Sequence, residues 1–149
     1  MTDALWRLGH RLAARLYDAR NRLLRPRVTG AVVLVRVGPE LLMVRSSYRP
    51  WLTVPGGRVG RREEPLLAAV RELHEEVGLG VEPERLRTLG EFVIHHSNIE
   101  DHIHAFELRL DAHPELRIDM REITWAGFHP ETALTPADLW PPLPTILGK

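Results

Sequence analysis

Three glutamates near the middle of the chain have the spacing of a carboxylate cluster on one helix. Residues 57–79 read GRVGRREEPLLAAVRELHEEVGL. At about 100° per residue, Glu72, Glu75 and Glu76 fall within an arc of about 100°, roughly opposite the apolar side chains. Carboxylates this close repel one another, and a divalent cation among them would relieve the repulsion. Mg²⁺ takes oxygen ligands and completes its shell with water and phosphate oxygens. The spacing fits metal-dependent phosphate chemistry, and it also fits an ordinary solvated acidic face.

The helix that must carry these glutamates has marked ends. Glu63 and Glu64 put negative charge at its start, and Pro65 suits a first turn, where a backbone N–H is unpaired anyway. Gly78 suits the C-terminal cap. The apolar side chains that recur at helical spacing and should face a core are Leu66, Val70, Leu73 and Val77. The glutamates should then point away from the core, so that losing one costs activity more than stability.

The residue types and spacing around this helix resemble the signature of the Nudix hydrolase family. The matching positions are Gly57, Glu63, Arg71, Glu72, Leu73, Glu75, Glu76, Gly78 and Leu79. The preceding residues 51–56, WLTVPG, also resemble that family's approach to its glycine loop. The resemblance extends over about residues 27–139 and implies an α/β fold, an α/β/α sandwich around a mixed β-sheet. It also implies a Mg²⁺-dependent hydrolase, with Mn²⁺ as a possible substitute, that cleaves the diphosphate linkage of a nucleoside diphosphate derivative.

The resemblance assigns roles by matching position. Glu72 and Glu76 would be the principal metal ligands, Glu75 a further ligand or the proton acceptor, and Gly56 would offer its carbonyl oxygen to the metal. Three further residues, Gly57, Glu63 and Arg71, would position these ligands without binding the metal themselves. Arg71 lies four residues before Glu75 and could hold a carboxylate through a charge-assisted hydrogen bond.

The residue that accepts the proton from water is less well defined. In this family it comes from the signature helix or from a later acidic residue. Our first choice is Glu75. The later candidates are Glu100, Asp101 and Glu122, of which Glu100 and Asp101 are better explained as ordinary loop residues.

Substrate contacts are expected around the loop of residues 46–51. By analogy with the family, Arg45 and Arg49 could meet phosphate, and Tyr48 or Trp51 could stack on a base. For Trp51 we favour a core position under the glycine loop, and Arg49 could simply be solvated. The sequence does not select one substrate. A nucleoside triphosphate, an RNA 5′ end and a nucleotide sugar remain open.

Two histidines share one face of a later strand. His102 and His104 alternate with apolar residues, so both side chains should point the same way. They could bind zinc, but no nearby carboxylate or cysteine spacing completes such a site. We favour a place in the substrate groove, where His102 or His104 could contact phosphate, or pairing across the hairpin.

Composition limits the classes of function. The 149 residues are 44% hydrophobic, which is enough for one domain with a core. The net charge of +0 disfavours nucleic acid as a partner. The chain has no cysteine, which excludes disulfides and thiolate catalysis and is compatible with a cytoplasmic protein.

The N-terminal stretch predicts an amphipathic helix ahead of the main domain, giving units 1–26 and 27–149. Its leucines form one apolar stripe, and its arginines occupy the remaining surface of the helix. We favour packing on its own domain or on a partner in a homodimer over attachment to an anionic membrane surface. Lipid sedimentation after deletion of residues 1–25 would separate these hypotheses.

The remaining pattern predicts strands and short turns. The expected strands are Val28–Val37, Leu41–Arg45, Arg85–His96, His102–Leu110 and Glu122–His129. Short helical turns are expected at Pro130–Leu134 and Pro136–Trp140, followed by a proline-containing tail without regular structure. The alternative to an enzyme is a Nudix-fold sensor that binds a nucleotide metabolite without hydrolysing it. The intact signature favours the enzyme.

Overall fold

A computed structural model of the chain describes Leu16, residues 27–96 and residues 99–148. Apart from Leu16, the expected N-terminal helix lies outside these residues. The strands, which form one seven-stranded sheet, are β1 (Arg27–Val37), β2 (Glu40–Ser46), β3 (Leu52–Thr53), β4 (Gly56–Arg58), β5 (Arg87–His96), β6 (Ile99–Leu110) and β7 (Ile123–Pro130). The helices are α1 (Pro65–Val77) and α2 (Leu143–Ile146), with 3₁₀ turns at Pro83–Arg85, Glu131–Ala133 and Pro136–Asp138. The α/β class predicted from the sequence is confirmed.

The β1–β2 hairpin opens away from its turn, and this opening makes room for the glycine loop. The two strands pair at Arg36–Leu41 and Val37–Glu40, next to the turn. Further along, β1 pairs with β4 on one edge and in parallel with β6 on the other. Strand β2 instead pairs with β3 and β7. The chain from β3 to β4 therefore bridges the gap, where the N–H of Val33 donates to the carbonyl of Pro55 at 2.9 Å.

Apolar residues on both faces of the sheet explain why β1 is almost continuously hydrophobic. Ala31 and Val33 belong to the core beneath α1. Val32 and Leu34 belong to a second core on the opposite face, which is covered by the C-terminal segment. The expectation that this segment has no regular structure was wrong: it contains α2, whose Leu143 is fully buried.

Helix α1 has the predicted ends. Pro65 occupies its first turn, and Gly78 closes it with a left-handed φ of 73° while donating to the carbonyl of His74 at 3.0 Å. Leu73 and Val77 are fully buried, so the predicted apolar stripe does face the core. Nevertheless, Glu72 is also buried, which the stripe alone did not indicate. Among the described residues, no helix combines the length and apolarity needed to span a bilayer.

A buried carboxylate ties three strands together on the face opposite α1. Glu107 of β6 is 4% exposed, and its oxygens accept hydrogen bonds from Arg36 at 3.0 Å, from Arg87 at 2.7 and 3.1 Å, and from Arg109 at 3.0 and 3.2 Å. Arg36 also pairs with Glu131, at the start of the segment that covers this face. Burial alone would raise the pKa of Glu107, but the hydrogen bonds from Arg109 and Arg87 outweigh it and leave that pKa lowered.

The Glu107→Gln variant should lose about 1–3 kcal/mol of stability at pH 7, since a charged acceptor of several hydrogen bonds is replaced by a neutral one. A lowered folded-state pKa means that the stabilisation is present above the ordinary value of 4.5 and is lost as pH falls through the folded value. The gap between variant and wild type should therefore shrink at pH 3. Urea denaturation at both pH values measures it, with Glu115→Gln, at an exposed ion pair, as control. Equal stability of variant and wild type at pH 7 would contradict this account.

Candidate active site

The glycine loop and α1 bring two of the predicted glutamates against the backbone of residues 56 and 57. Glu76 accepts a hydrogen bond from the N–H of Gly56 at 2.9 Å. Glu72 lies directly over Gly57, where the Cβ of any other residue would collide with its carboxylate. The missing side chain at Gly57 is therefore what allows the acidic side of the helix to pack on the loop.

Arg71 connects the carboxylates. Its Nε and Nη2 donate to Glu63 at 2.8 and 3.0 Å, and its Nη1 donates to Glu72 at 2.7 Å and to Glu75 at 3.1 Å. Nη2 also donates to the carbonyl of Arg58 at 3.0 Å. A guanidinium of the chain itself therefore offsets part of the repulsion among these acids, through the kind of charge-assisted hydrogen bond expected of Arg71.

Glu63 anchors this arrangement from the loop side. It accepts the N–H of Gly60 at 2.8 Å in addition to the two bonds from Arg71. The bonds from Arg71, followed by the one from Gly60, lower the pKa of Glu63 to about 2. Glu63 therefore remains ionised and fixes the guanidinium, and the pKa of Arg71 is raised in return.

Burial raises the pKa values of Glu72 and Glu76, whereas that of Glu63 is lowered. Burial raises the pKa of Glu76 to about 8, although the N–H of Gly56 opposes the shift. The negative charges of Glu72, Glu122 and Glu75 raise it further. Burial also raises the pKa of Glu72, against the hydrogen bond from Arg71.

The three glutamates lie outside both hydrophobic cores, as expected, but two of them are not solvated. Glu72 is 9% exposed and Glu76 is partly buried, whereas 56% of the Glu75 side chain is exposed. The reason is that the glycine loop, rather than solvent, lies against this side of α1. A helical wheel places the acids opposite the apolar stripe but cannot show what packs there.

The donors of the site fit a hard divalent cation. Within the described part of the chain, no group of three or more His, Asp or Glu side chains is arranged to hold a metal ion by itself. Arg71 draws Glu72 and Glu75 toward itself, and the N–H of Gly56 holds Glu76. Mg²⁺ nevertheless needs only one or two protein carboxylates when water and substrate phosphate supply the remaining ligands. The oxygen-only set of Glu72, Glu75 and Glu76 meets that requirement.

The loop of residues 46–51 lies beside these acids, as expected for substrate contacts. Desolvation of its hydroxyl, followed by the charges of Glu122 and Glu76, raises the pKa of Tyr48, although 41% of the residue is exposed. The guanidinium of Arg49 lies 5.9 Å from the Tyr48 ring centroid and 5.6 Å from that of Trp51. Trp51 is half-buried beneath this arginine, which differs from the core position that we favoured.

Arg45 lies at the end of β2, next to this loop. It is exposed, and it pairs with Leu52 of β3 and Trp125 of β7 in the sheet register. The position is compatible with the predicted phosphate contact.

Of the later acidic candidates, Glu122 is the one that the fold brings to the site. Its charge raises the pKa values of Glu72 and Glu76, and its carbonyl accepts the N–H of Ser47 at 2.7 Å. Asp119 shapes the turn before it by accepting the N–H groups of Arg121 at 2.9 Å and Glu122 at 3.3 Å.

The other two candidates are engaged elsewhere. Glu100 pairs with Arg27 at 3.0 Å and with His102 at 2.8 Å, and Asp101 is buried. His102 also contacts Glu91 at 3.2 Å, across the β5–β6 hairpin. The hydrogen bonds that His102 donates to Glu100 and Glu91 raise its pKa. This is the cross-hairpin pairing that the sequence suggested, and it leaves both ring nitrogens of His102 on carboxylates.

His104 has a different position. It lies opposite Ala31 of β1, which in turn lies opposite Gly57 of β4. Two strand spacings, about 10 Å, therefore separate its backbone from the glycine under Glu72. Of the two histidines, His104 is the one that the register places in line with the candidate site.

Comparisons with known proteins identify the family and the fold. A sequence model described as "NUDIX domain" matches residues 24–147. The MutT NUDIX hydrolase of Burkholderia pseudomallei superposes with a TM-score of 0.64 at 18% identity over 74% of this chain and 88% of its own. A Caenorhabditis elegans Ap4A hydrolase gives 0.63 at 21% identity over 81% and 93%.

A third solved structure is a bifunctional NMN adenylyltransferase/ADP ribose pyrophosphatase of Francisella tularensis, complexed with AMP and a manganese ion. It superposes with a TM-score of 0.59 at 22% identity, over 78% of this chain and 39% of that protein. None of the curated proteins matches this chain. At these identities the solved structures establish the fold, and the family rests on the sequence match. Because that match covers most of the chain and includes the glycine loop and α1, the protein belongs to the Nudix family of hydrolases, pyrophosphohydrolases that act on acid anhydrides.

Proposed function

We propose that this protein is a Mg²⁺-dependent hydrolase that cleaves the diphosphate linkage of a nucleoside diphosphate derivative, with Mn²⁺ as a substitute ion. The observation that carries the proposal is the packing of the acidic side of α1 on the glycine loop. Glu72 lies over Gly57, and Glu76 is bound to the N–H of Gly56. This packing presents oxygen donors at one fixed place next to a loop with aromatic and basic side chains.

The proposed ligands of the metal are Glu72, Glu76, Glu75 and the carbonyl oxygen of Gly56. A bound dication would neutralise phosphate oxygens and lower the pKa of a water molecule. Arg71 has a positioning role. Because Glu63 holds one side of its guanidinium, Nη1 can keep Glu72 and Glu75 together before the substrate arrives.

We assign the acceptance of the proton from water to Glu75. Its side chain is the most accessible of the three, and Arg71 holds it beside Glu72. Glu122 is the competing residue because its charge reaches the same acids.

The nucleoside part of the substrate is assigned to the loop of residues 46–51. Tyr48 and Trp51 offer aromatic rings, and Arg49 brings a positive charge over both of them. Arg45 and His104 are the proposed phosphate contacts at the borders of this region. The structural neighbours named for Ap4A and ADP ribose support a nucleotide-type substrate.

The Glu76→Gln variant should lose about 100-fold or more of its turnover, since a metal ligand supplies several kcal/mol of transition-state stabilisation. Its melting temperature should stay nearly unchanged because the amide oxygen of Gln can still accept the N–H of Gly56. The assay is phosphate or pyrophosphate release from a panel of nucleoside diphosphate derivatives with Mg²⁺. Glu64→Gln, at an exposed position of the same helix start, is the matched control.

Two results would count against this function. If wild type binds one compound of the panel but hydrolyses none, the protein is a sensor. If Glu76→Gln unfolds at a much lower temperature than Glu64→Gln, then Glu76 is structural.

Glu75→Gln and Glu122→Gln separate the two proposed proton acceptors. Loss of a general base costs about 10²–10⁴-fold in rate, so Glu75→Gln should lose kcat on that scale while Glu122→Gln keeps most of it. The measurement is kcat and KM from pH 6 to 9 at saturating Mg²⁺. A larger kcat loss in Glu122→Gln, with loss of the acidic limb of the pH profile, would transfer the role to Glu122.

Gly57→Ala tests the close approach of α1 to the loop. The added methyl group would displace the carboxylate of Glu72, and a displacement of about 1 Å at a catalytic site can reduce the rate about 10²-fold. Steady-state turnover measures the loss. Gly80→Ala is the control because its Cβ would contact nothing within 4 Å. Full activity of Gly57→Ala would show that Glu72 need not lie where the structure has it.

A further inference from the structure

Three arginines, Arg36, Arg87 and Arg109, surround Glu107 on the face of the sheet opposite α1, and the last two of them are exposed. A fourth, Arg85, binds the backbone of Arg109 beside them. We call this set the arginine patch; its members are Arg36, Arg85, Arg87 and Arg109. Side-chain alternation places Arg36 on the same face as Leu34, whose core is covered by the C-terminal segment. Arg36 also lies five residues along β1 from Ala31, the residue paired with Gly57, which corresponds to about 16 Å. The patch is therefore separate from the candidate active site.

The patch carries more positive charge than its acidic partners offset. Glu107 receives five hydrogen bonds from three guanidinium groups. Glu131 pairs with Arg36, and Arg85 donates to the backbone carbonyl of Arg109 at 3.3 Å. Three guanidinium groups thus meet two carboxylates, and Arg85 adds a fourth positive charge beside Arg109, although the net charge of the chain is +0. Like charges held this close repel one another, and a bound anion would reduce the repulsion.

The outer arginines are held in place but keep donors for a ligand. The side chains of Arg87 and Arg109 are 66% and 71% exposed. Each donates to Glu107 through Nε and Nη2, and within the described part of the chain Nη1 of each has no acceptor. The shared carboxylate fixes two planar guanidinium groups side by side. Such pre-organised donors match the oxygens of a phosphate group.

We propose that the arginine patch binds the phosphate or diphosphate group of a small metabolite, at a second site remote from the catalytic helix. The patch is compact, because three of its arginines converge on one carboxylate. A nucleic-acid surface would need a longer basic track, which the overall charge of the chain does not favour. The site is independent of the proposed reaction, since no residue of α1 or of the glycine loop belongs to it.

The test uses the full chain in EDTA at low ionic strength, with inorganic pyrophosphate as the probe. Calorimetry should show saturable binding at one site, and amide resonances of residues 87 and 109 should shift in NMR spectra. Arg87→Gln and Arg109→Gln should each weaken binding about tenfold or more, since each removes a charged hydrogen-bond donor. Arg117→Gln is the matched control because Arg117 is 77% exposed and pairs with one glutamate. Hydrolase turnover should be unchanged in all three variants.

Arg87→Lys and Arg109→Lys are included in case the glutamine variants misfold. Each keeps the positive charge but loses the planar guanidinium group. They should fold normally and still bind pyrophosphate more weakly than wild type. The proposal is overturned if wild type shows no saturable binding, or if Arg117→Gln weakens binding as much as the patch variants do. It is also overturned if shifts are confined to the glycine loop and α1, or if a short single-stranded RNA binds in place of pyrophosphate.

Discussion

The close packing of a charged helix side on a glycine loop is the constraint on which the site depends. Acidic side chains would normally turn to water, yet Glu72 is buried over Gly57 and Glu76 is held by a backbone N–H. Removing carboxylates from water is costly unless charge and hydrogen bonds compensate. Arg71 supplies that compensation for Glu72, and Glu63 keeps Arg71 in position. The pattern of residue types around α1 is thus a single electrostatic unit, whose members stabilise one another before any ligand binds.

The sequence predicted the parts of this unit whose causes are local. The ends of α1 follow from Pro65 and Gly78, and the apolar stripe follows from helical spacing. The continuous apolar run of β1 correctly indicated a strand buried on both faces. The burial of Glu72 could not be predicted in this way, because it depends on a loop that returns to the helix through the gap between β1 and β2.

Two other features that the sequence did not predict also depend on tertiary contacts. Three prolines after Trp140 indicated an irregular tail, but proline is tolerated in a first helical turn, and burial of Leu143 and Ile146 stabilises a short helix there. Glu107 lies within the predicted strand His102–Leu110, and no pattern in the sequence singled it out. Its burial depends on Arg36 and Arg87, which lie 71 and 20 residues away in the chain. Sequence spacing within one element carries no information about such partners.

The divergence of β1 and β2 has a consequence for how this scaffold can change. Backbone hydrogen bonds of β3 and β4 fix the width of the gap, so the position of the glycine loop depends little on the side chains around it. The loop of residues 46–51 leaves the end of β2 outside that framework. Under the proposed function, exchange of Tyr48, Arg49 or Trp51 would therefore alter which compound is recognised while the acidic helix stays in register. Selectivity and hydrolytic machinery are in this sense modular, and they can diverge separately within one small domain.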